Sequence, residues 1–233
     1  MTATEAVQLL FILVGVGIAY RWLWTWNSRM IRRVSFDTHA TTFPVTHTGS
    51  MFVPQFDKYA ANGSQVFIPA GDGLYCTRIK RSRRARYKNG LKKWLDKKEM
   101  TIHLVITLPS DAARKEWQSL KDEYPDRFCV YLLHREKVTE PSADMIKSQI
   151  ASLDTYHPSL LVNPPGTDCF PGAMWIEAFH PVGSKFAYHV EFVPPAVAVN
   201  DERFDKYRQL YKAILQGPYV EQMQKTARSR IAA

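Results

Sequence analysis

Residues 101–133 read TIHLVITLPSDAARKEWQSLKDEYPDRFCVYLL. Thr101 to Leu108 alternates and is dense in β-branched residues, the pattern of a buried strand. Pro109-Ser110 stops it. Ser110 or Asp111 can cap a helix from Ala112 to about Glu123, because a side-chain oxygen there satisfies an orphan N–H of the first turn. Tyr124-Pro125 ends that helix, since proline cannot continue it. Phe128 to Leu133 is a second apolar run of strand length. Strand, helix and strand at this spacing predict a βαβ unit with parallel strands.

Working upstream, Arg78 to Lys98 reads RIKRSRRARYKNGLKKWLDKK. It holds eleven Lys and Arg against one acid, Asp96, a local +10 in a chain whose net charge is +9. The positive charge is therefore localised rather than a general solubility feature. Asn89-Gly90 divides the segment. Leu91, Trp94 and Leu95 recur at helical spacing, so the second half reads as an amphipathic helix packed on the sheet with its lysines outward. The first half, around Arg83, Arg84 and Arg86, reads as an exposed loop. Arg83, Arg84, Arg86, Lys88, Lys92 and Lys93 are candidate binding residues for an anionic partner, with Tyr87 and Trp94 available to stack. Two partners fit: the anionic inner leaflet of a membrane, or nucleic-acid phosphates. A solvated basic face with no partner is the third reading.

Ala6 to Tyr20 (AVQLLFILVGVGIAY) has no charge, and Arg21, Trp22, Trp24 and Trp26 follow. A spanning helix needs about 20 apolar residues. Ala6 to Trp26 supplies them if Arg21 snorkels, and the tryptophans fit an interfacial belt. A cleaved signal peptide would need a basic start and a small-x-small site; MTATE and bulky flanks offer neither. A buried hairpin helix is the other alternative. Arg21, Arg29, Arg32 and Arg33 follow the segment and no Lys or Arg precedes it. The expected topology is single-pass in the cell membrane, N-terminus outside and body cytoplasmic. Gly15 and Ala19 are spaced to seat a second helix. Cys76, Cys129 and Cys169 are too few and scattered for a disulfide framework, which agrees with a reducing compartment.

The expected domains are an anchor and basic flank at 1–33, a linker at 34–49, a cytosolic α/β domain at 50–217 and a basic tail at 218–233. Within the body, Ser50 to Val53 and Gln65 to Pro69 read as short strands, with turns at Asn62-Gly63 and Gly71-Asp72-Gly73. Pro141 to Leu153 suggests a helix, and Leu160 to Val162 a strand. Ala173 to Phe179 and Phe186 to Val193 form a hairpin, with Phe186, Tyr188, Val190 and Phe192 on one face and His189 and Glu191 on the other. A helix from about Glu202 to Gln216 has Phe204, Tyr207, Tyr211, Ile214 and Leu215 as its stripe. The last residues read as a fraying basic helix. The fold class is thus α/β: a mixed sheet with a βαβ unit and a C-terminal antiparallel hairpin, helices flanking, preceded by one transmembrane helix. Hydrophobic residues at 45% and charged ones at 23% exclude a disordered tail, a collagen, a coiled coil and a polytopic membrane protein.

Catalytic signals are few. GxGxxG, P-loop, GxSxG, HExxH and CxxC patterns are missing, and nothing calls for a cofactor or a metal. Glu177, His180, His189 and Glu191 gather around one hairpin, where imidazole and carboxylate side by side suit acid–base work; an exposed polar face is the plainer reading. His103 lies in a buried strand and reads as a core histidine or a catalytic one. His134 follows a parallel strand's carboxyl end, where α/β sites lie. His157, before Pro158, carries no specific signal.

A basic helix, a strand ending in Pro109-Ser110, a helix and a strand come first. His157-Pro-Ser-Leu-Leu-Val162 and the strand Ala173-Met174-Trp175-Ile176 follow. This order resembles, in topology, half of a phospholipase D-like fold from Leu91 to Gly217. That family's catalytic motif is His-x-Lys with a later Asp. Here Pro158-Ser159 follows His157 and Pro181-Val182 follows His180, so no catalytic residue carries over. The function expected from the sequence is a membrane-anchored interaction or regulatory module presenting a polybasic surface, without catalysis. The alternative is an anchored phosphodiesterase or nuclease with a degenerate site.

Overall fold

A computed structural model describes residues 5, 8, 14–21, 41–45, 49–71, 81–138, 150–151, 153, 156–166, 172–179 and 188–226. The chain divides into two units, Met1–His39 and Ala40–Ala233. In the first, residues 14–21 are helical. Among the described residues no helix is long and apolar enough to cross a membrane. Of the expected Ala6–Trp26 anchor, the description reaches Gln8 and residues 14–21; the remainder, with Arg29, Arg32 and Arg33, lies outside the described residues.

The second unit is a mixed α/β fold. In chain order it has β1 (Thr41–Val45), α1 (Gly49–Tyr59), β2 (Gln65–Pro69), α2 (Arg81–Lys97), β3 (Thr101–Ile106), α3 (Asp111–Glu123) and β4 (Phe128–Leu133). A 3-10 turn, Arg135–Lys137, precedes β5 (Tyr156–Val162), β6 (Gly172–Phe179) and β7 (Tyr188–Val193). Short α4 (Pro195–Ala198), α5 (Glu202–Gln216) and β8 (Val220–Gln222) close the chain. One eight-stranded sheet runs β1-β7-β6-β5-β2-β3-β4-β8.

The 101–133 stretch folds as expected. β3 and β4 pair in parallel, Ile102 against Phe128 through Ile106 against Leu132. Ser110 caps α3, its hydroxyl accepting from the Ala113 N–H at 3.2 Å. β2 pairs in parallel with β3, making a second βαβ unit through α2. The 156–193 region is antiparallel, β5 to β6 to β7, with β1 added outside β7.

Both faces of the sheet are covered. On one, Trp94 and Leu95 of α2 and Trp117 and Leu120 of α3 are buried together with Ile102, Leu104, Phe128 and Val130. Phe56 of α1 stacks on Trp94 at 6.5 Å, and Tyr59 on Phe192 at 5.9 Å. On the other, α5 presents Phe204, Leu210, Tyr211 and Ile214 to Phe67, Met174 and Ile176.

Several expectations are corrected. Ser50–Val53 is the start of helix α1, not a strand. Phe52, Phe56 and Tyr59 recur at helical spacing, a longer signal than four residues of alternation. The stretch expected as a linker contains β1. Val220–Gln222 form edge strand β8, and residues 227–233 of the expected fraying helix, with Arg228 and Arg230, lie outside the described residues. Of the Pro141–Leu153 helix, Ile150, Ala151 and Leu153 are helical and the rest lies outside the described residues. Cys129 is a buried free thiol; Cys76 and Cys169 lie outside the described residues.

The Arg83–Arg86 stretch is helical, and Asn89-Gly90 lies inside α2 rather than between two elements. Gly90 serves close approach. A Cβ built there would sit 2.5 Å from Val53 Cγ1 of α1, well inside van der Waals contact. Glycine inside a helix costs about 1 kcal/mol relative to alanine, while overpacking costs about 1–3 kcal/mol. Gly90→Ala should therefore lower the unfolding free energy by about 1 kcal/mol net in urea titrations. In a Val53→Ala background the same change should be neutral or stabilising. Stabilisation of the parent by Gly90→Ala would show that the helices have room.

Candidate functional site

The basic helix is more structural than its sequence suggests. Trp94, expected to stack on a ligand, has no exposed surface, and Tyr87 is buried. The Trp94 indole N–H donates to Asp57 Oδ1 at 3.2 Å. Four lysines of the segment reach acids on the neighbouring helices. Lys88 Nζ lies 2.7 Å from Glu116 Oε1, and Lys92 donates to Glu123 Oε1 at 2.9 Å. Lys93 donates to Asp57 Oδ2 at 2.6 Å, and Lys98 Nζ lies 3.4 Å from Asp57 Oδ1. Burial opposes ionisation of Asp57, but the hydrogen bonds and charges of Lys93 and Lys98 outweigh it and hold its pKa below the ordinary value. Lys88, Lys92 and Lys93 therefore belong first to the α1–α2–α3 layer.

The arginines differ. Arg81, Arg83, Arg84 and Arg86 occupy the first turns of α2, whose first turn contains no acid. Their side chains lie outside the described residues. Cations at a helix N-terminus oppose the macrodipole by about 0.3–1 kcal/mol each. Helix stability does not account for them.

The structure disperses the candidate acid–base residues. In the order β7-β6-β5-β2-β3-β4, His189 and His103 are separated by four strand spacings, as are Glu177 on β6 and His134 after β4. At ~4.8 Å per spacing each pair is about 19 Å apart. The hairpin constellation also splits across the sheet. Register pairs Glu177 with Val190, Ile176 with Glu191 and Ala178 with His189. Directly paired residues share a face, so Glu177 lies on the α1–α3 face while Glu191 lies on the α5 face. Glu191 is engaged there by Arg203, whose guanidinium donates to both carboxylate oxygens at 2.8 Å. His180 lies outside the described residues.

His103 is the core histidine of the two readings. Its ring stacks on Phe67 at 4.7 Å and on Tyr131 at 5.9 Å. Nδ1 lies 3.4 Å from the Tyr131 hydroxyl, while Nε2 is buried with no hydrogen-bond partner. Burial lowers its pKa to about 4, so it is neutral at physiological pH. His134 sits after β4 between two carboxylates, Glu136 and Glu221.

One pair was missed by sequence reading. His157 and Glu177 are direct cross-strand partners on one face. Glu177 accepts from the Trp175 indole N–H at 3.0 Å. His157 Cε1 would lie 3.5 Å from a Cβ on Gly71, which follows β2 with a φ of +44°. The Thr107 hydroxyl donates to the Gly71 carbonyl at 3.4 Å, and Arg135 Nε donates to the Thr107 carbonyl at 3.2 Å. These groups run along the carboxyl ends of β2 and β3. There the strand order turns, with β3 on one side of β2 and β5 on the other, the usual place for an α/β ligand crevice. No sequence signal separated His157 from a loop histidine, because the pairing depends on where β5 starts. Among the described residues no group of three or more His, Cys, Asp or Glu is placed to hold a metal ion.

No family model matches the chain, and no curated protein sequence does either. Among solved structures it is similar to TrmBL2, described as an archaeal chromatin protein with a novel mode of DNA binding. The TM-score is 0.41 at 9% identity, covering 88% of this chain and 67% of that one. At that distance the likeness carries no argument about this chain.

His103 yields a stability test. An unfolded histidine takes up its proton near pH 6.5, whereas His103 resists protonation down to about 4. Between those values the unfolded chain binds more protons. The contribution is full above about pH 6.5 and is lost as pH falls towards 4, by at most about 3 kcal/mol. Urea midpoints at pH 7 and 4.5 should therefore differ less in His103→Phe than in the parent. An identical fall in both would assign the acid sensitivity to other groups.

Proposed function

We propose that this chain is a membrane-anchored interaction module that presents the arginine-rich start of α2 to an anionic surface, foremost the lipid headgroups of the inner leaflet. The observation that carries the reading is how the positive charge is distributed. Lys88, Lys92, Lys93 and Lys98 are committed to acids within the fold. Residues 78–86 hold six Lys and Arg and no acid. Basic residues near an anionic leaflet contribute about 1 kcal/mol each.

The anchor in this reading is Ala6–Trp26, oriented with the N-terminus outside and the α/β unit in the cytosol. It is supported by Val14, Val16 and Ile18, which are 52–65% exposed. Residues two apart point to opposite sides of a helix, so exposed apolar side chains occur on more than one side of it, the pattern of a helix surrounded by lipid or other protein. A Cβ on Gly15 would meet nothing within 4 Å, which leaves the Gly15–Ala19 face open for a second helix.

A second reading, an anchored phosphodiesterase or nuclease, is favoured by one observation: the His157–Glu177 pair at the carboxyl end of β2. An imidazole and a carboxylate as cross-strand neighbours are suited to general acid–base work.

A chain trimmed to residues 34–233 should bind anionic vesicles with steep salt dependence. Changing Arg81, Arg83, Arg84 and Arg86 to Gln should abolish most of that binding. Lys92→Gln with Lys93→Gln should instead leave most of it and lower stability by about 1 kcal/mol or less. Preference for an oligonucleotide at equal salt would move the partner to nucleic acid, and negligible binding by the parent would overturn the proposal. Full-length chain released from membranes by alkaline carbonate would remove the anchor. Turnover of bis(4-nitrophenyl) phosphate that disappears in a folded His157→Ala variant would establish the second reading.

A further inference from the structure

After α5 the chain turns at Gly217 and lays β8 along the edge of β4. Leu133 pairs with Val220, Leu132 with Glu221 and Tyr131 with Gln222. The His134 N–H donates to the Tyr219 carbonyl at 2.8 Å, and the Met223 N–H donates to the Val130 carbonyl at 2.9 Å. Tyr219 and Met223 are buried, so the strand has apolar anchors at both ends. Beyond it, the Thr226 N–H donates to Asp122 Oδ1 at 2.8 Å.

The polar contacts converge on Glu221. Arg114 of α3 grips its carboxylate with two parallel hydrogen bonds, Nη1 to Oε1 at 2.7 Å and Nη2 to Oε2 at 2.9 Å. His134 Nε2 faces Oε2 of the same carboxylate at 3.2 Å. The other ring nitrogen, Nδ1, lies 3.0 Å from Glu136 Oε1. A carboxylate only accepts hydrogen bonds, and a neutral imidazole has one N–H to donate. Only the imidazolium form donates to both neighbours.

We infer that His134 and Glu221 form a proton-operated clasp, which holds the C-terminal strand tightly against β4 when His134 is protonated and loosens it when His134 is neutral. The charged groups around the clasp set its sign. Glu136 from the 3-10 turn and Glu221 from β8 face the ring. Arg114, with Asp111 beside it, lies behind Glu221, and Lys137 adjoins Glu136. The Arg114 hydrogen bonds hold the Glu221 pKa down to about 2, so Glu221 stays ionised above acid pH. Histidine side chains as a class change charge between about pH 5 and 8, and the test spans that range. Arg114 keeps its grip throughout, so the clasp modulates opening rather than releasing the strand outright. Each opening uncovers the unpaired edge of β4, which another extended chain can pair with.

Hydrogen exchange of the full chain in detergent micelles, followed by mass spectrometry of peptide 219–226, tests this. Rates are divided at each pH by those of the same peptide unfolded. Protection should fall about 5-fold from pH 5.5 to 8, the worth of roughly 1 kcal/mol for a partly exposed pair, while β3 peptides hold constant protection. The His134→Gln variant, which keeps one donor but does not titrate, should give a flat profile. A parent profile that is itself flat, or a His134→Gln profile that falls in parallel with the parent, would overturn the clasp.

Discussion

Parallel pairing of β2, β3 and β4 is the constraint on which the rest of this unit depends. Parallel neighbours cannot be joined by a tight turn, so each connection must cross a face of the sheet, and a helix is the economical way to cross it. The central strands are apolar on both sides, so both faces must be covered. The helix between β2 and β3 is therefore obligatory, and it is the segment with the greatest density of positive charge in the chain. Trp94 and Leu95 meet the demand for burial, Asp57, Glu116 and Glu123 neutralise the lysines near the sheet, and Arg81, Arg83, Arg84 and Arg86 fall in the first turns of the helix. Fold and charge pattern are two solutions written into the same seventeen-residue helix.

What was legible in the sequence follows signal length. Residues 101–133 carry two apolar runs, a capping serine and a proline stop, and these agree with one another, so β3, α3 and β4 fall where their side chains predict. Four-residue patterns did worse. Ser50–Val53 looked like a strand because alternation over four residues does not exclude a helix. Asn89-Gly90 looked like a turn because this dipeptide usually makes one; here the glycine is needed for the approach of Val53, a demand set by a residue of another helix. Trp94 looked available because a tryptophan among lysines fits a binding face as readily as a core.

The candidate site suffered most from parity. A strand alternates its faces, so an error of one residue in hairpin register moves a whole set of side chains to the other side of the sheet. Glu177 was expected beside His189 and Glu191, but it pairs with Val190, and the carboxylates of Glu177 and Glu191 face opposite layers. The same alternation creates the pair that reading along the chain missed, His157 with Glu177, because β5 begins at Tyr156 rather than at Leu160. Neither fact can be read before the strand ends are fixed, and strand ends are what local patterns specify least.

The sheet order also imposes a timetable. Thr41 of β1 pairs with Phe192 of β7, so the first of the described strands waits for nearly the last of them. Contacts across such sequence distances form slowly, since a long loop must close before they repay its entropy. At about 5–20 residues per second of synthesis, the ribosome needs roughly 7–30 s after β1 emerges before its partner exists. During that interval β2, β3 and β4 can complete their local crossovers, while β1 remains an open edge beside the exit tunnel. Vectorial synthesis thus builds the parallel half first and leaves the antiparallel half to close the sheet around it.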